Sequence, residues 1–411
     1  MKYLSIGLLM LFGQILSAQE KAILTDQVSV LATDLPLTAR SQLGGVTVDR
    51  LGFVYVANFH DAVWKISPKG ETKLLTDGLY GSSGNAIDGQ GNLFQANFFS
   101  HTIVRIDRFG HISSFIEEGL SGPVGLVFDS DQNLYICNFN QNNILKVSSD
   151  KQMSVFASGA HFNGPNGITI DPEGNLYVAN FNSNDVIKVT PSGESSVFAT
   201  LPGVDGTAHA VYFNDRLFVT KIKSNRVYQI NKAGVARLLA GNGKTAIKGG
   251  PALEASFSAP NGIGVDNLSG ELYINNVKGQ WSSRKASTIA VSKVKLLTIT
   301  EILSHYLDQN DPEGAQKAYQ AYRADPFTAE EDIALAVGNL GWQYMSQRNV
   351  QAALTLFTLN SEGYSDRWQP FFNLGEVYKI IGQTDKAKTY YEKALSNSPG
   401  NKRILARLKS Q

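Results

Sequence analysis

The chain has 411 residues, with 37 Lys and Arg against 36 Asp and Glu, a formal net charge of +1. Its length corresponds to two or three domains at roughly 100–200 residues each, and 43% hydrophobic and 10% aromatic content belong to a folded chain, not a disordered one. Charge neutrality without a long basic run argues against nucleic acid as the partner, and the single cysteine, Cys137, rules out an internal disulfide and a cysteine-only zinc site.

Residues 1–19 combine a positive charge at Lys2, an apolar run from Leu4 to Leu16, and the small and polar residues Ser17, Ala18 and Gln19. This order predicts a secretory signal peptide, hence a secreted or periplasmic protein. No cysteine follows the apolar run to carry a lipid, and no later stretch reaches the ~18 apolar residues that span a bilayer.

From residue 20 to 296 the chain is rich in Gly and Asn and built from short alternating runs; beyond 296 glycine thins out and helical spacing takes over. The first region repeats. The segment from Asp171 to Asn180 and Phe181 recurs as Asp49 to Phe59, Asp88 to Phe98 and Asp129 to Phe139, always with an Asp-to-Asn offset of nine residues. Two weaker copies run from Asn214 to Ile222, with Lys221 at the Asn position, and from Asp266 to Val277, with Asn276 there. In each copy a short apolar strand leads into an Asx/Gly turn, whose residues tolerate tight backbone angles. Three more strands follow. Four strands per roughly 40 residues describe a β-propeller blade. The sixth copy lacks a fourth strand, and Val28 to Thr33 is an unpaired strand-like run before the first. Pairing the two closes a six-bladed ring and removes exposed sheet edges.

The second region, 297–411, has a 34-residue period: Leu340, Gly341, Tyr344, Ala353 and Phe357 recur as Leu374, Gly375, Tyr378, Ala387 and Tyr391. A less regular helical pair, Thr298 to Leu307 and Pro312 to Arg323, precedes it. The fold class expected is an all-β six-bladed propeller followed by an all-α helical-repeat domain.

The Tyr-Val-Ala-Asn strands, the run Leu239 to Gly243 and the segment Ala259-Pro260-Asn261-Gly262-Ile263 resemble NHL-repeat propellers and, more loosely, gluconolactonase-type (senescence-marker, SMP-30) hydrolases. The second region resembles tetratricopeptide repeats, two antiparallel helices each, which usually bind peptides or partner domains. The propeller resemblance is specific for fold and unspecific for activity.

In a propeller the start of each first strand and the end of each second strand lie on one face. The first positions are Gly44, Ser83, Val124, Asn166, His209 and Asn261; the second include Asn97, Asn138, Asn180 and Lys221. Two polar rings are therefore expected at one mouth of the channel, the default place for a ligand. Ligand-binding candidates are Asn166, His209, Asn261, Lys221, Asn97, Asn138 and Asn180. The repeated Asn also suits an Asx turn, a purely structural role.

The function expected is binding of a small polar ligand, or of a protein or peptide, at this mouth. Asn, His and Lys donors would suit a sugar or a peptide carboxylate. The gluconolactonase resemblance implies an alternative, a lactone or ester hydrolase with a divalent metal (Ca, Mg or Zn) at Asn166 and His209. Gly44 and His209 stand where that pattern has acidic groups, and hard cations want charged oxygens; Asp205, four residues before His209, is the nearest carboxylate in sequence. A third reading is a scaffold whose two repeat arrays both bind proteins. His60, His101, His111 and His161 fall in different registers or outer turns, so they do not make a His-ligand set.

Overall fold

The computed structural model describes residues 25–36, 43–203, 205–278, 288–328 and 333–410. The signal peptide expected over 1–19 lies outside them. The chain divides into two compact units, with the division between Leu296 and Leu297.

The first unit is a six-bladed β-propeller. Five blades are four-stranded sheets in simple sequence order. Blade four is representative: Pro165–Ile170, Leu176–Asn180, Asp185–Val189 and Ser195–Thr200, each strand antiparallel to the next. The recurring Asp closes the turn between the two inner strands. Asp171 Oδ1 accepts from Asn175 N at 2.8 Å, and its Oδ2 accepts from Asn175 Nδ2 and the Tyr177 hydroxyl at 2.8 and 3.1 Å. Asp49, Asp88 and Asp129 make the same turn in their blades. The Asp is thus a turn-forming acceptor, and the aromatic hydroxyl behind it is satisfied by the same carboxylate.

Blade six contains Ile263–Val265, Leu272–Lys278 and Thr288–Lys295, and its fourth strand is the N-terminal Gln27–Pro36. Val28 pairs with Val294, and Ala32 with Val291. The ring therefore closes as the unpaired N-terminal run suggested. One addition was not foreseen: Gly250–Pro251 pairs outside the N-terminal strand and makes a fifth strand of this sheet.

Apolar residues of the strand faces fill the spaces between blades. Val178, Ile187, Val189 and Cys137 belong to one such layer and have no exposed surface. Nearer the axis the blades touch through glycine. A Cβ built on Gly84 would stand 2.2 Å from the Val124 carbonyl oxygen, and one on Gly125 would stand 2.2 Å from that of Asn166. On Gly262 it would meet the Gly44 oxygen at 2.7 Å, which carries the same contact across the closure from blade six to blade one. The backbones of neighbouring inner strands come too close for any side chain.

The second unit contains seven helices among the described residues: α1 (Ile299–Asp308), α2 (Pro312–Ala324), α3 (Ile333–Ser346), α4 (Val350–Gly363), α5 (Trp368–Ile380), α6 (Thr384–Asn397) and α7 (Lys402–Lys409). Thr298 and Glu301 form a reciprocal capping box that starts α1. The 34-residue period has a packing cause. A Cβ on Gly341 of α3 would lie 2.6 Å from the Phe357 ring of α4, and one on Gly375 of α5 would lie 2.6 Å from the Tyr391 ring of α6. Each helix pair seats an aromatic ring on a bare stretch of backbone. No described helix is long and apolar enough to cross a membrane.

Candidate functional site

At the start of the inner strands the ladders are irregular in a repeated way. In blades one to four the pairing of first and second strands shifts register between Leu43 and Val46, Ser82 and Asn85, Pro123 and Leu126, and Pro165 and Gly167. Such bulges re-aim side chains. They fall on Gly44, Ser83, Val124 and Asn166, which with His209 and Asn261 border a cavity of about 240 Å³ at the channel mouth. All six first-strand positions expected at the mouth are there.

The second ring differs. Asn97, Asn138, Asn180 and Lys221 do not line this cavity; the residues one step further along do, namely Phe98, Phe139, Phe181 and Ile222, joined by Phe59 of blade one. The strand-end asparagines are drawn under the turns. Asn58 Oδ1 accepts from Asp61 N and Ala62 N at 2.8 and 3.0 Å. Asn138 Oδ1 accepts from Ser121 N, and its Nδ2 donates to Asn143. Asn180, fully buried, accepts from Asn163 N at 3.2 Å and donates to the His161 carbonyl at 2.8 Å. Asn97 Nδ2 donates to Thr102 Oγ1 at 3.3 Å. With the amide held beneath, the following aromatic turns outward.

Those aromatics form a continuous arc. Ring centroids lie 5.6 Å apart for Phe59 and Phe98, 5.9 Å for Phe98 and Phe139, and 6.2 Å for Phe139 and Phe181. Phe99 packs on Phe59 and Phe98 from outside, and Tyr80 on Phe99. The sequence signal was the Phe that follows Asn in four copies of the repeat.

Lys221 has a different task. Its buried Nζ donates to Asp205 Oδ1 at 2.9 Å, to Asn184 Oδ1 at 2.8 Å and to the Pro202 carbonyl at 2.7 Å. Three acceptors satisfy all three ammonium protons. Asp205 Oδ2 also accepts from Ser224 N at 2.9 Å. This carboxylate therefore does not turn toward His209, against the suggestion from its place in the sequence.

The cavity floor is now defined by three side chains. Asn166 Nδ2 donates to the Ala208 carbonyl at 2.9 Å, and its Oδ1 has no protein partner among the described residues. Asn261 Nδ2 donates to the Leu43 carbonyl, and its Oδ1 likewise has none. The His209 imidazole makes no hydrogen bond with a described residue. Burial pushes its pKa down to about 4, so it is neutral at pH 7. Ser83 Oγ donates to the Pro123 carbonyl at 2.8 Å. His209 also borders a larger cavity of about 580 Å³ further along the inner strands, lined by Val46, Leu126, Ile168 and Ile263 among others.

The donor set does not fit a hard divalent cation. Asn166 and Asn261 each have one neutral oxygen and His209 one nitrogen, with no carboxylate at the cavity among the described residues. Among the described residues no three His, Cys, Asp or Glu side chains are grouped to hold a metal ion. The other propeller histidines stand apart: His60 Nδ1 lies 3.5 Å from Asp61 Oδ2, His111 meets Asp107 at 3.0 Å, His161 meets Ser195 at 3.0 Å, and His101 accepts from Gly122 N at 2.9 Å.

Fold and site together define a ring-closed propeller with an aromatic-collared mouth, followed by helical repeats. The family model described as SMP-30/Gluconolactonase/LRE-like region matches residues 103–223, and that of the tetratricopeptide repeat matches residues 369–401. The first match lies within the propeller, from blade two to blade five, and the second spans α5 and α6. Among solved structures, a gluconolactonase from Xanthomonas campestris superposes with a TM-score of 0.51 at 15% identity, over 66% of this chain and 90% of its own. A Bacteroides thetaiotaomicron protein of unknown function gives 0.52 at 15% identity, over 65% of this chain and 76% of its own. An auxiliary nutrient binding protein from the same organism gives 0.51 at 12% identity, with the same coverage of 65% and 76%. At these identities the likeness is one of fold. No curated protein matches the sequence.

Proposed function

We propose that the protein is a binding protein whose propeller mouth receives a small organic ligand and whose helical repeats engage a protein partner. The observation that carries this reading is the Phe59–Phe98–Phe139–Phe181 arc standing over a floor of polar atoms without protein partners. Aromatic side chains supply contact area at low entropic cost, and a few unpaired polar groups orient what they hold. Export is part of the proposal and rests on residues 1–19. The test is a ligand-observed NMR screen of small organic solutes against wild type and His209→Leu. Solutes bound by the wild type and lost in the variant support the reading; none bound, or all retained by the variant, overturns it.

A second reading, a metal-dependent lactone or ester hydrolase, is favoured by the match over residues 103–223. The floor, which has no carboxylate among the described residues, speaks against it. Metal analysis of the purified protein with a lactonase assay, with and without chelator, decides: bound metal and chelator-sensitive turnover would establish the hydrolase, and their absence removes it.

A further inference from the structure

We infer that the mouth selects an organic ammonium ion, a small amine or methylated ammonium, over neutral and anionic solutes. The inference deepens the ligand-site reading and rests on it.

The argument starts from which half of each amide is already occupied. Asn166 and Asn261 both give their NH2 groups to backbone carbonyls, of Ala208 and Leu43. A carbonyl can only accept, so these contacts fix the orientation of both amides. Each then has left a carbonyl oxygen without a protein donor and the second proton of its NH2 group, the Asn261 oxygen being closed off from solvent. The neutral His209 imidazole adds one lone pair, one N–H and no charge. Ser83, the other polar side chain of the floor, donates its proton to a backbone carbonyl. The described side chains of the floor therefore offer neutral acceptors to a cation, with no positive charge beside them.

The collar supplies aromatic rings, packed at 47°, 71° and 63° to one another. The face of an aromatic ring is the negative end of its quadrupole, and a cation within about 6 Å of a ring centroid is attracted to it. Four phenylalanines in sequence make a wall of such rings, with Phe181 partly exposed at 37%. The lysine expected at the mouth would have opposed a cation. It is instead buried in its pair with Asp205, away from the cavity lining. Among the described residues, no Lys or Arg side chain lines the cavity to repel a cation or hold an anion, and no carboxylate lines it either. A weakly hydrated ammonium loses little on leaving water and gains both the rings and the oxygens. A carboxylate would find no positive charge among the described lining residues.

The experiment is calorimetric titration of the full chain with choline and with its uncharged isostere, 3,3-dimethyl-1-butanol. The two have nearly the same shape, so their ratio reads charge. Choline is expected to bind about tenfold or more tightly than the isostere. Phe139→Leu keeps apolar bulk and removes a ring, so it should lower choline affinity more than isostere affinity and collapse the ratio. Phe181→Leu, at the exposed end of the arc, is the second variant should the first fail to fold. Equal affinity for the two probes, or tighter binding of acetate than of choline, overturns the inference. If neither probe binds but other solutes do, and are lost in His209→Leu, the inference fails and the ligand-site reading stands. If no solute binds at all, both fail.

Discussion

Lys221 Nζ and Asp205 Oδ1 lie 2.9 Å apart, with the lysine fully buried and the aspartate side chain 11% exposed. This pair holds the loop after blade four against the end of blade five's second strand. It occupies the place where the other blades use Asn, so an ammonium with three acceptors does what an amide does elsewhere. Breaking such a pair on one side leaves the other group buried without a partner. Lys221→Met should destabilise the propeller by about 2–4 kcal/mol, read by urea denaturation. Burial raises the Asp205 pKa, but the bonds from Lys221 and Ser224 outweigh it and hold the carboxyl below its usual range. A depressed carboxylate stabilises above its unfolded pKa of about 3.9 and loses that contribution as pH falls through the lower folded value. The variant should show a shallower loss of stability across that acidic window than the wild type.

Asn180 is predicted to be structural. It satisfies Asn163 N and the His161 carbonyl from a fully buried position. Asn180→Ala leaves both without a partner and should cost about 1–3 kcal/mol in denaturant unfolding. Ligand affinity at the mouth should change less than about threefold, because the side chain does not reach the cavity.

The glycine girdle predicts a contrast. Gly125→Ala would place a Cβ 2.2 Å from a backbone oxygen of the next blade, and no rotamer relieves that. It should cost about 3 kcal/mol or more. Gly91 has open space around its Cβ position and a φ of +84°, so Gly91→Ala meets only backbone strain and should cost about 1 kcal/mol. Thermal melts of the two variants make the comparison.

His209 gives the propeller a pH dependence of its own. Its folded pKa is about 4, against roughly 6.5 when unfolded. The unfolded chain therefore binds the proton first. Stability is complete above about pH 6.5 and falls toward pH 4, by about 3 kcal/mol at most. His209→Leu should flatten the profile in that window; an unchanged profile would show that His209 does not titrate there.

Much of the fold was legible because it repeats. The nine-residue Asp-to-Asn spacing identified the inner hairpin of each blade, and the unpaired N-terminal run identified the closing strand. The helical period was legible because Gly341 and Gly375 must be bare where Phe357 and Tyr391 pack. The site was legible by half. Counting back from the turn Asp located Gly44, Ser83, Val124, Asn166, His209 and Asn261 correctly. Counting forward to the strand end put the asparagines at the mouth, whereas turn hydrogen bonds draw their amides beneath and bring the neighbouring phenylalanines out. Periodicity marks where a strand ends; backbone donors competing for the amide decide which of two adjacent side chains faces the opening. The Lys221–Asp205 pair was hidden for a related reason. The two residues meet across a loop, and nothing in the spacing of either reports the contact.

The account rests on the aromatic collar as the ligand-binding element, and the double variant Phe98→Ala/Phe139→Ala tests it most directly. Solutes that bind the wild-type protein are titrated against the variant by calorimetry, with circular dichroism confirming that the sheet content is retained. Loss of about tenfold or more in affinity with the fold intact is the predicted result. Undiminished binding by the folded variant would contradict the account.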